Sequence, residues 1–282
     1  MVAIRDLIPP QLGLRRRIAH HAAFVRACLP NNPRGAQDVE SWLSSVGGVA
    51  ILATPRNPFK SNLPALAYAI ERRGDRPPEQ LRAILAFTQL VEPMRAKRYM
   101  EIVDLLNDTI SVAGIGGYIG GDVAAARSAY PNIDVRHITS VEIIVPERHC
   151  SQVQALCVAK GFQPHRRLPE LVDEHGARVI LKSRFYRSGR SGMVDDLLAD
   201  HPSGLSLLPL PLLFVCSCIA SYPGGRESHA RAMIDAALLT QLLTPEDWET
   251  VRRLKGAAAR EPFRAVLRYL QQELGIKLIH DI

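Results

Sequence analysis

The sequence predicts an α+β protein in which a small mixed β-sheet is flanked by helical N- and C-terminal parts. Three observations lead to this fold class. Residues 1–107 have the pattern of helices separated by prolines, residues 108–190 contain β-branched runs and a cluster of glycines, and residues 191–282 are again helical in pattern. Apolar residues make up 47% of the 282 residues, which is enough to bury a substantial core.

Prolines separate the helices predicted in the N-terminal region. We expect one helix at Leu12–Leu29, a shorter one at Gln37–Ser45 and a loop at residues 54–64. The Pro-Pro-Glu segment at 77–79 opens a stronger helix, because proline is tolerated in the first turn, where its missing N–H donor is not needed. Pro93 is expected to break or kink this helix.

Beyond Asn107 the sequence takes on the pattern of strands and tight turns. The run Thr109–Ile115 is apolar and β-branched, which predicts a first strand, and a glycine cluster follows it. Pro146 closes a second β-rich run, and Gly161 is a natural left-handed end for the helix before it. The predicted elements are strand 109–115, a glycine loop, helix 122–129, strand 138–145, helix 147–160 and a short strand at 179–181.

The C-terminal region is predicted to be helical. Leu207–Ser221 and Glu227–Leu243 are two apolar helices joined by a turn with Pro and Gly. Thr244 can cap the next helix, because its hydroxyl can accept a hydrogen bond from a free N–H of the first turn. The last helix is expected at Phe263–Leu274, ended by Gly275.

The charge balance indicates the class of partner. The formal net charge is +7, from 35 basic and 28 acidic residues, which favours anionic partners. The excess is modest and spread along the chain, so nucleic acid is disfavoured as a partner. The sequence therefore predicts a nucleotide or another anionic ligand, with a protein surface as the other class of partner.

The cysteines and the apolar segments indicate the cellular compartment of the protein. Five cysteines, an odd number, form no disulfide framework, so we expect a reducing cytoplasm. Residues 1–10 lack the long apolar stretch of a signal peptide. The most apolar stretch, Leu205–Ala220, is short and contains two prolines, which predicts a buried segment and no membrane association. Cys216 and Cys218 within it are expected to be small packing residues.

Several short motifs occur in an informative order between about residues 80 and 275. Each is weak alone, and together they form a pattern. The motifs are Ile119-Gly120-Gly121, Tyr130-Pro131, Arg136, the run from Ser140 to Pro146, Gly161-Phe162, Asp235-Ala236-Ala237-Leu238 and Asp247-Trp248.

In order and spacing these motifs resemble an uncharacterised bacterial nucleotidyltransferase family. That family has a lysine-glycine turn, a later Tyr-Pro, and an arginine followed four residues on by Asp-x-Asp. The resemblance implies a nucleotidyltransferase-like core at residues 108–190. It also implies that a nucleotide is bound through Gly120, Gly121 and Arg136, while the cationic Lys182 can attract a phosphate directly.

The sequence departs from the family at the positions that would hold metal. Nucleotidyl transfer uses closely spaced carboxylates to hold divalent cations against the phosphates. Here Ser140 replaces the first carboxylate, and Glu142 is the second. Gly120 replaces the lysine of the turn, and no acid occurs at 178–184, where the third is expected. Ser140 and Glu142 are thus the candidate catalytic pair, with Glu142 as the single candidate metal ligand.

Two functional hypotheses from different classes follow. In the first, the protein is a divergent binding or accessory module with an eroded metal site and no cofactor. In the second, it is an active enzyme that uses Mg²⁺ to transfer a nucleoside monophosphate to a small molecule or protein. For Glu142, a metal-binding role and a salt bridge to Arg136 or another nearby basic group remain equal alternatives. Asp122 is expected to cap the helix that it begins.

Overall fold

The computed structural model describes residues 22–54, 57, 59–165, 170–185, 192–199, 201–221, 228–254 and 260–278. Most of the helix predicted at Leu12–Leu29 lies outside these ranges, and its described part is helical at residues 22–27. The further α-helices are α1 (Gly35–Val46), α2 (Leu63–Arg73), α3 (Glu79–Val112), α4 (Gly121–Ala129), α5 (Glu147–Ala159), α6 (Gly192–Leu197), α7 (Leu210–Ser221), α8 (Ser228–Leu239), α9 (Pro245–Leu254) and α10 (Arg260–Gln272).

Six strands form one mixed sheet, which confirms the predicted α+β class. They are β1 (Gly116–Gly120), β2 (Val141–Ile144), β3 (Gln163–Pro164), β4 (Leu171–Val172), β5 (Arg178–Lys182) and β6 (Gly204–Leu207). Their order across the sheet is β3-β4-β5-β2-β1-β6. The central strand β2 is antiparallel to β1 and parallel to β5. This pairing places the two strands of the predicted site side by side.

The two faces of the sheet pack against different helices. On one face, α3 and α5 cover the apolar side chains of β2, among them Val141 and Ile143. On the other face, Tyr118 and Ile144 belong to a larger core that includes Phe214 of α7. That larger core also contains residues of the N-terminal helices and of α8, α9 and α10, so the N- and C-terminal helical parts share it.

The first strand begins later than the sequence predicts. The run Thr109–Ile115 was expected to be a strand, but residues up to Val112 continue α3. Ile110 is completely buried on the same helix face as Leu106, so packing outweighs the β propensity of this run. The helix ends at Gly114, whose φ of 70° is left-handed, and the glycines at 116 and 117 then form strand rather than loop.

Pro93 lies inside α3, which continues on both sides of it, so the helix is not broken there. β6 was not predicted: it lies in the region expected to be helical and pairs in parallel with β1. The predicted cap of α9 is confirmed, since the Thr244 hydroxyl accepts a hydrogen bond from the Asp247 N–H at 3.2 Å.

Across the described ranges, no helix combines the length and apolarity that crossing a membrane requires.

Candidate functional site

A cavity of about 480 Å³ lies on the sheet face that carries Glu142. Its floor is formed by β2 and β5, and its walls by the start of α4 and by α7 and α8. Apolar side chains of the sheet and of α7 line much of it. The charged residues that line it are the bases Arg136, Arg178, Lys182 and Arg231 and the acids Asp122, Glu142 and Asp235.

The strand register determines which side chains meet in this cavity. Glu142 of β2 is aligned with Ile180 of β5, and Ile144 is aligned with Lys182. Side chains alternate between the faces of a strand, so these four share one face. Ser140, just before β2, is buried and also lines the cavity. The position opposite Glu142, where a second strand could supply an acid, is therefore occupied by isoleucine.

Glu142 forms an ion pair across the two strands. Its Oε2 atom lies 2.6 Å from the Nζ atom of Lys182. The Lys182 side chain is 34% exposed and that of Glu142 is 21% exposed, so the pair is open to the cavity. The salt bridge that the sequence allowed for Glu142 is present, and its partner is Lys182 rather than Arg136.

The glycine turn holds the Glu142 carboxyl group against its backbone. β1 ends at Gly120 and α4 starts at Gly121, whose φ of 56° is left-handed. A Cβ atom added at Gly121 would lie 2.5 Å from Cδ and 2.8 Å from Oε2 of Glu142. Only glycine tolerates both this conformation and this approach. The carboxylate thus occupies the place where the sequence predicts a phosphate.

Arg136 lies in a buried network of charges at one end of the cavity. Its guanidinium donates two hydrogen bonds to Asp235, at 2.9 and 2.6 Å, and pairs with Asp122 at 2.9 Å. Tyr130 donates a further hydrogen bond to Asp235 at 2.8 Å. The Arg136 side chain is only 5% exposed. This arginine, predicted to contact a nucleotide, is placed with its charge already matched by two carboxylates.

Asp122 does not cap α4, contrary to the expectation. The N-terminus of α4 has no side-chain cap, and the Asp122 carboxylate accepts hydrogen bonds from the backbone N–H and the hydroxyl of Thr139. Burial by itself would raise the pKa of Asp122, but Arg136, Arg231 and the Thr139 hydrogen bonds outweigh it and hold this pKa well below its ordinary value. Asp122 does not cap the helix because its carboxylate faces Arg136 and Arg231 rather than the free N–H groups at the start of α4.

Arg231 of α8 is a cation of intermediate burial, with its side chain 12% exposed and long contacts to the protein. Its Nη1 atom lies 3.9 Å from Asp122 and 3.4 Å from the carbonyl oxygen of His137. Burial lowers the pKa of Arg231, and the neighbouring Arg136 lowers it further, although Asp122 acts in the opposite direction. Arg178, by contrast, is matched by Glu170, with Nε to Oε2 at 2.6 Å. Arg178 and Arg136 are each held by two hydrogen bonds to one carboxylate, whereas among the described residues Lys182 is held by a single contact to Glu142. Lys182 and Arg231 are therefore the cavity cations best placed to meet an added anion.

The carboxylates of the cavity do not fit a divalent metal site. Magnesium prefers several anionic oxygens at closely spaced positions. Glu142 is paired with Lys182, Ser140 is neutral, and Asp122 and Asp235 are engaged by Arg136. Among the residues described, no group of three or more His, Cys, Asp or Glu side chains is arranged to hold a metal ion.

Sequence reasoning did not assign four of the charged residues that line the cavity to the site. These residues are Asp122, Arg178, Arg231 and Asp235. A signal was available for Asp235, because a carboxylate within the apolar run of α8 requires a buried partner. Its partner Arg136 is 99 residues away in the chain, so the pairing itself could not be read from local pattern.

Comparison with known proteins gives no match to this chain, whether with family models, curated proteins or solved structures.

Proposed function

We propose that this protein is a divergent nucleotidyltransferase-type fold that binds a nucleotide or related organic anion without metal and does not catalyse transfer. The observation that carries the proposal is the Glu142–Lys182 ion pair. It joins the single acid at the predicted metal-binding strand to a base on the neighbouring strand. A cation at this place repels divalent metal and attracts phosphate.

The shape of the cavity supports an organic anion as the ligand. Its volume of about 480 Å³ lies within the roughly 300–1,000 Å³ of small-molecule sites. Lys182 and Arg231 offer positive charge, and Ile180, Phe185 and Leu213 offer an apolar wall. A ligand with a phosphate at one end and a nucleobase or other flat apolar group at the other matches this division between cations and apolar wall.

The carboxylate set argues against the catalytic alternative. Phosphoryl and nucleotidyl transfer depend on metals that bridge the phosphates to the protein and neutralise developing charge. Positions 140 and 142 supply one carboxylate, and β5 presents Ile180 and Lys182 to the same face. A nucleoside triphosphate bound here has no anionic cage in which its metals would be held.

Titration calorimetry with ATP tests the proposal. We expect binding in EDTA that does not strengthen when Mg²⁺ is added. Lys182→Met should weaken it about tenfold, roughly 1.4 kcal/mol, because the ligand loses a cation and faces the unpaired Glu142. Lys160→Met, an exposed lysine directly after α5, is the matched control and should bind as the wild type does. Magnesium-dependent transfer of labelled AMP by the wild-type protein would establish the enzyme alternative instead.

A further inference from the structure

The position of the Glu142 carboxylate bears on how the cavity would admit an anion. The carboxylate lies directly against Gly121 and holds Lys182 at 2.6 Å. It therefore occupies the space beside the glycine turn and pairs with a cavity cation whose side chain is 34% exposed. A phosphate that binds to Lys182 at this turn must first displace the Glu142 carboxylate.

We infer that Glu142 is an internal competitor for the anion, so that ligand binding requires its carboxylate to leave Lys182. This inference rests on the proposed binding function and deepens it, because it names the residue that sets the affinity. It gives Glu142 a role opposite to that of a metal ligand. A metal ligand strengthens nucleotide binding, whereas a competing carboxylate weakens it.

Lys182 is the cavity base for which the two anions compete, because Glu142 is paired with it, whereas Arg231 lies near Asp122. Arg136 is matched by Asp122 and Asp235, and Arg178 is matched by Glu170. These arginines cannot turn to a ligand without leaving a buried or half-buried carboxylate uncompensated. Lys182 has a flexible stem and, within the described part of the chain, is held by a single contact to Glu142, so exchange of its partner costs least.

Gly121 indicates the size of the group that can replace the carboxylate. With no Cβ, the turn leaves room for the three-atom carboxylate where a Cβ atom would collide with it. A terminal phosphate presents similar oxygens with more negative charge, so it competes best of the common anionic groups. We therefore assign the position beside Gly121 and Lys182 to a phosphate or diphosphate end of the ligand.

The test compares the wild-type protein with Glu142→Gln by calorimetry in EDTA, with pyrophosphate and ATP as probes. Glutamine keeps the shape of the side chain but removes the charge, so both probes should bind about tenfold more tightly. Glu249→Gln is the matched control, since it removes the same charge from the exposed Glu249–Arg252 pair of α9. It should bind as the wild type does, which separates local competition from net charge.

A double variant keeps the experiment informative if the single substitution disturbs folding. Glu142→Gln with Lys182→Met replaces the whole ion pair by neutral groups and preserves the net charge. It should lose the gain that Glu142→Gln provides, and thermal unfolding monitors the integrity of each variant.

Each outcome has a distinct meaning. Tighter binding to Glu142→Gln than to the wild type supports internal competition. Equal or weaker binding, with wild-type binding intact, overturns the competitor role and leaves the proposed binding function standing. Absence of binding to both proteins overturns the proposed function itself.

Discussion

Single side chains at the cavity show how buried charge is tolerated in this fold. The Arg136 guanidinium is held by two carboxylates, and one of these, Asp235, also accepts a hydrogen bond from Tyr130. A buried ion stabilises only when its charge and its hydrogen-bonding groups are matched, since removing it from water costs several kcal/mol. Arg136, Asp122 and Asp235 therefore act as positioning residues that fix the loop before β2, the start of α4 and the middle of α8 around the cavity.

Because of Asp122, the charge network around Arg136 should make the free energy of unfolding depend on pH in the acid range. Because its pKa is depressed in the folded protein, its stabilising effect is fully present above the ordinary aspartate pKa, about 3.9, and is lost as the pH falls through that value toward the folded pKa. Asp122→Asn should therefore destabilise the protein at pH 7 and by about 1 kcal/mol less at pH 3, where the unfolded carboxyl group is mostly protonated while the folded one is still ionised. Urea unfolding at both pH values measures this. Asp104→Asn, an exposed aspartate on α3, should show no such dependence, and an equal loss at both pH values for Asp122→Asn would contradict the argument.

Helices and strands differ in how far local sequence determined them. The Pro-Pro-Glu start of α3 and the Thr244 cap of α9 depend on neighbouring residues alone, and both are present. The end of α3 depends on tertiary burial of Ile110, and β6 depends on pairing with β1, so neither could be read from local pattern. The site divides in the same way. The neighbouring strands bring Glu142 and Lys182 together, whereas Arg231 and Asp235 enter from α8, which lies beyond both strands in the chain.

At the junction of β1 and α4, the two constraints on Gly121 can be measured separately: its left-handed φ and the close approach of Glu142. Gly121→Ala should destabilise the protein through its left-handed φ, by about 1–2 kcal/mol, and further through collision of the new Cβ with Glu142. Gly114→Ala is the matched control, since Gly114 has a φ of 70° and nothing within 4 Å of an added Cβ. The difference between the two losses, measured by urea unfolding, gives the cost of the collision. Equal losses would show that the Glu142 contact is not tight.

The chain carries a net charge of +7, yet its cavity is nearly balanced between four bases and three acids. The network around Arg136 matches charge internally and cannot attract a ligand strongly. General surface charge is screened over about 8 Å at physiological ionic strength, so it adds little within a partly enclosed site. Recognition therefore depends on Lys182 and Arg231, and on how much charge the ligand presents to them.

Magnesium is expected to weaken ATP binding to this protein. A metal-dependent transferase binds the magnesium complex because its carboxylates coordinate the ion. In this cavity Glu142 is paired with Lys182, and the ion would only neutralise phosphate charge that Lys182 and Arg231 attract. Free ATP, with about four negative charges, should therefore bind more tightly than its magnesium complex, by a factor of about three to ten. Calorimetry at constant ionic strength, with the magnesium salt replaced by a sodium salt of the same ionic strength, measures the difference. The preference for free ATP should shrink in Lys182→Met, and tighter binding of the magnesium complex by the wild type would contradict a metal-independent site.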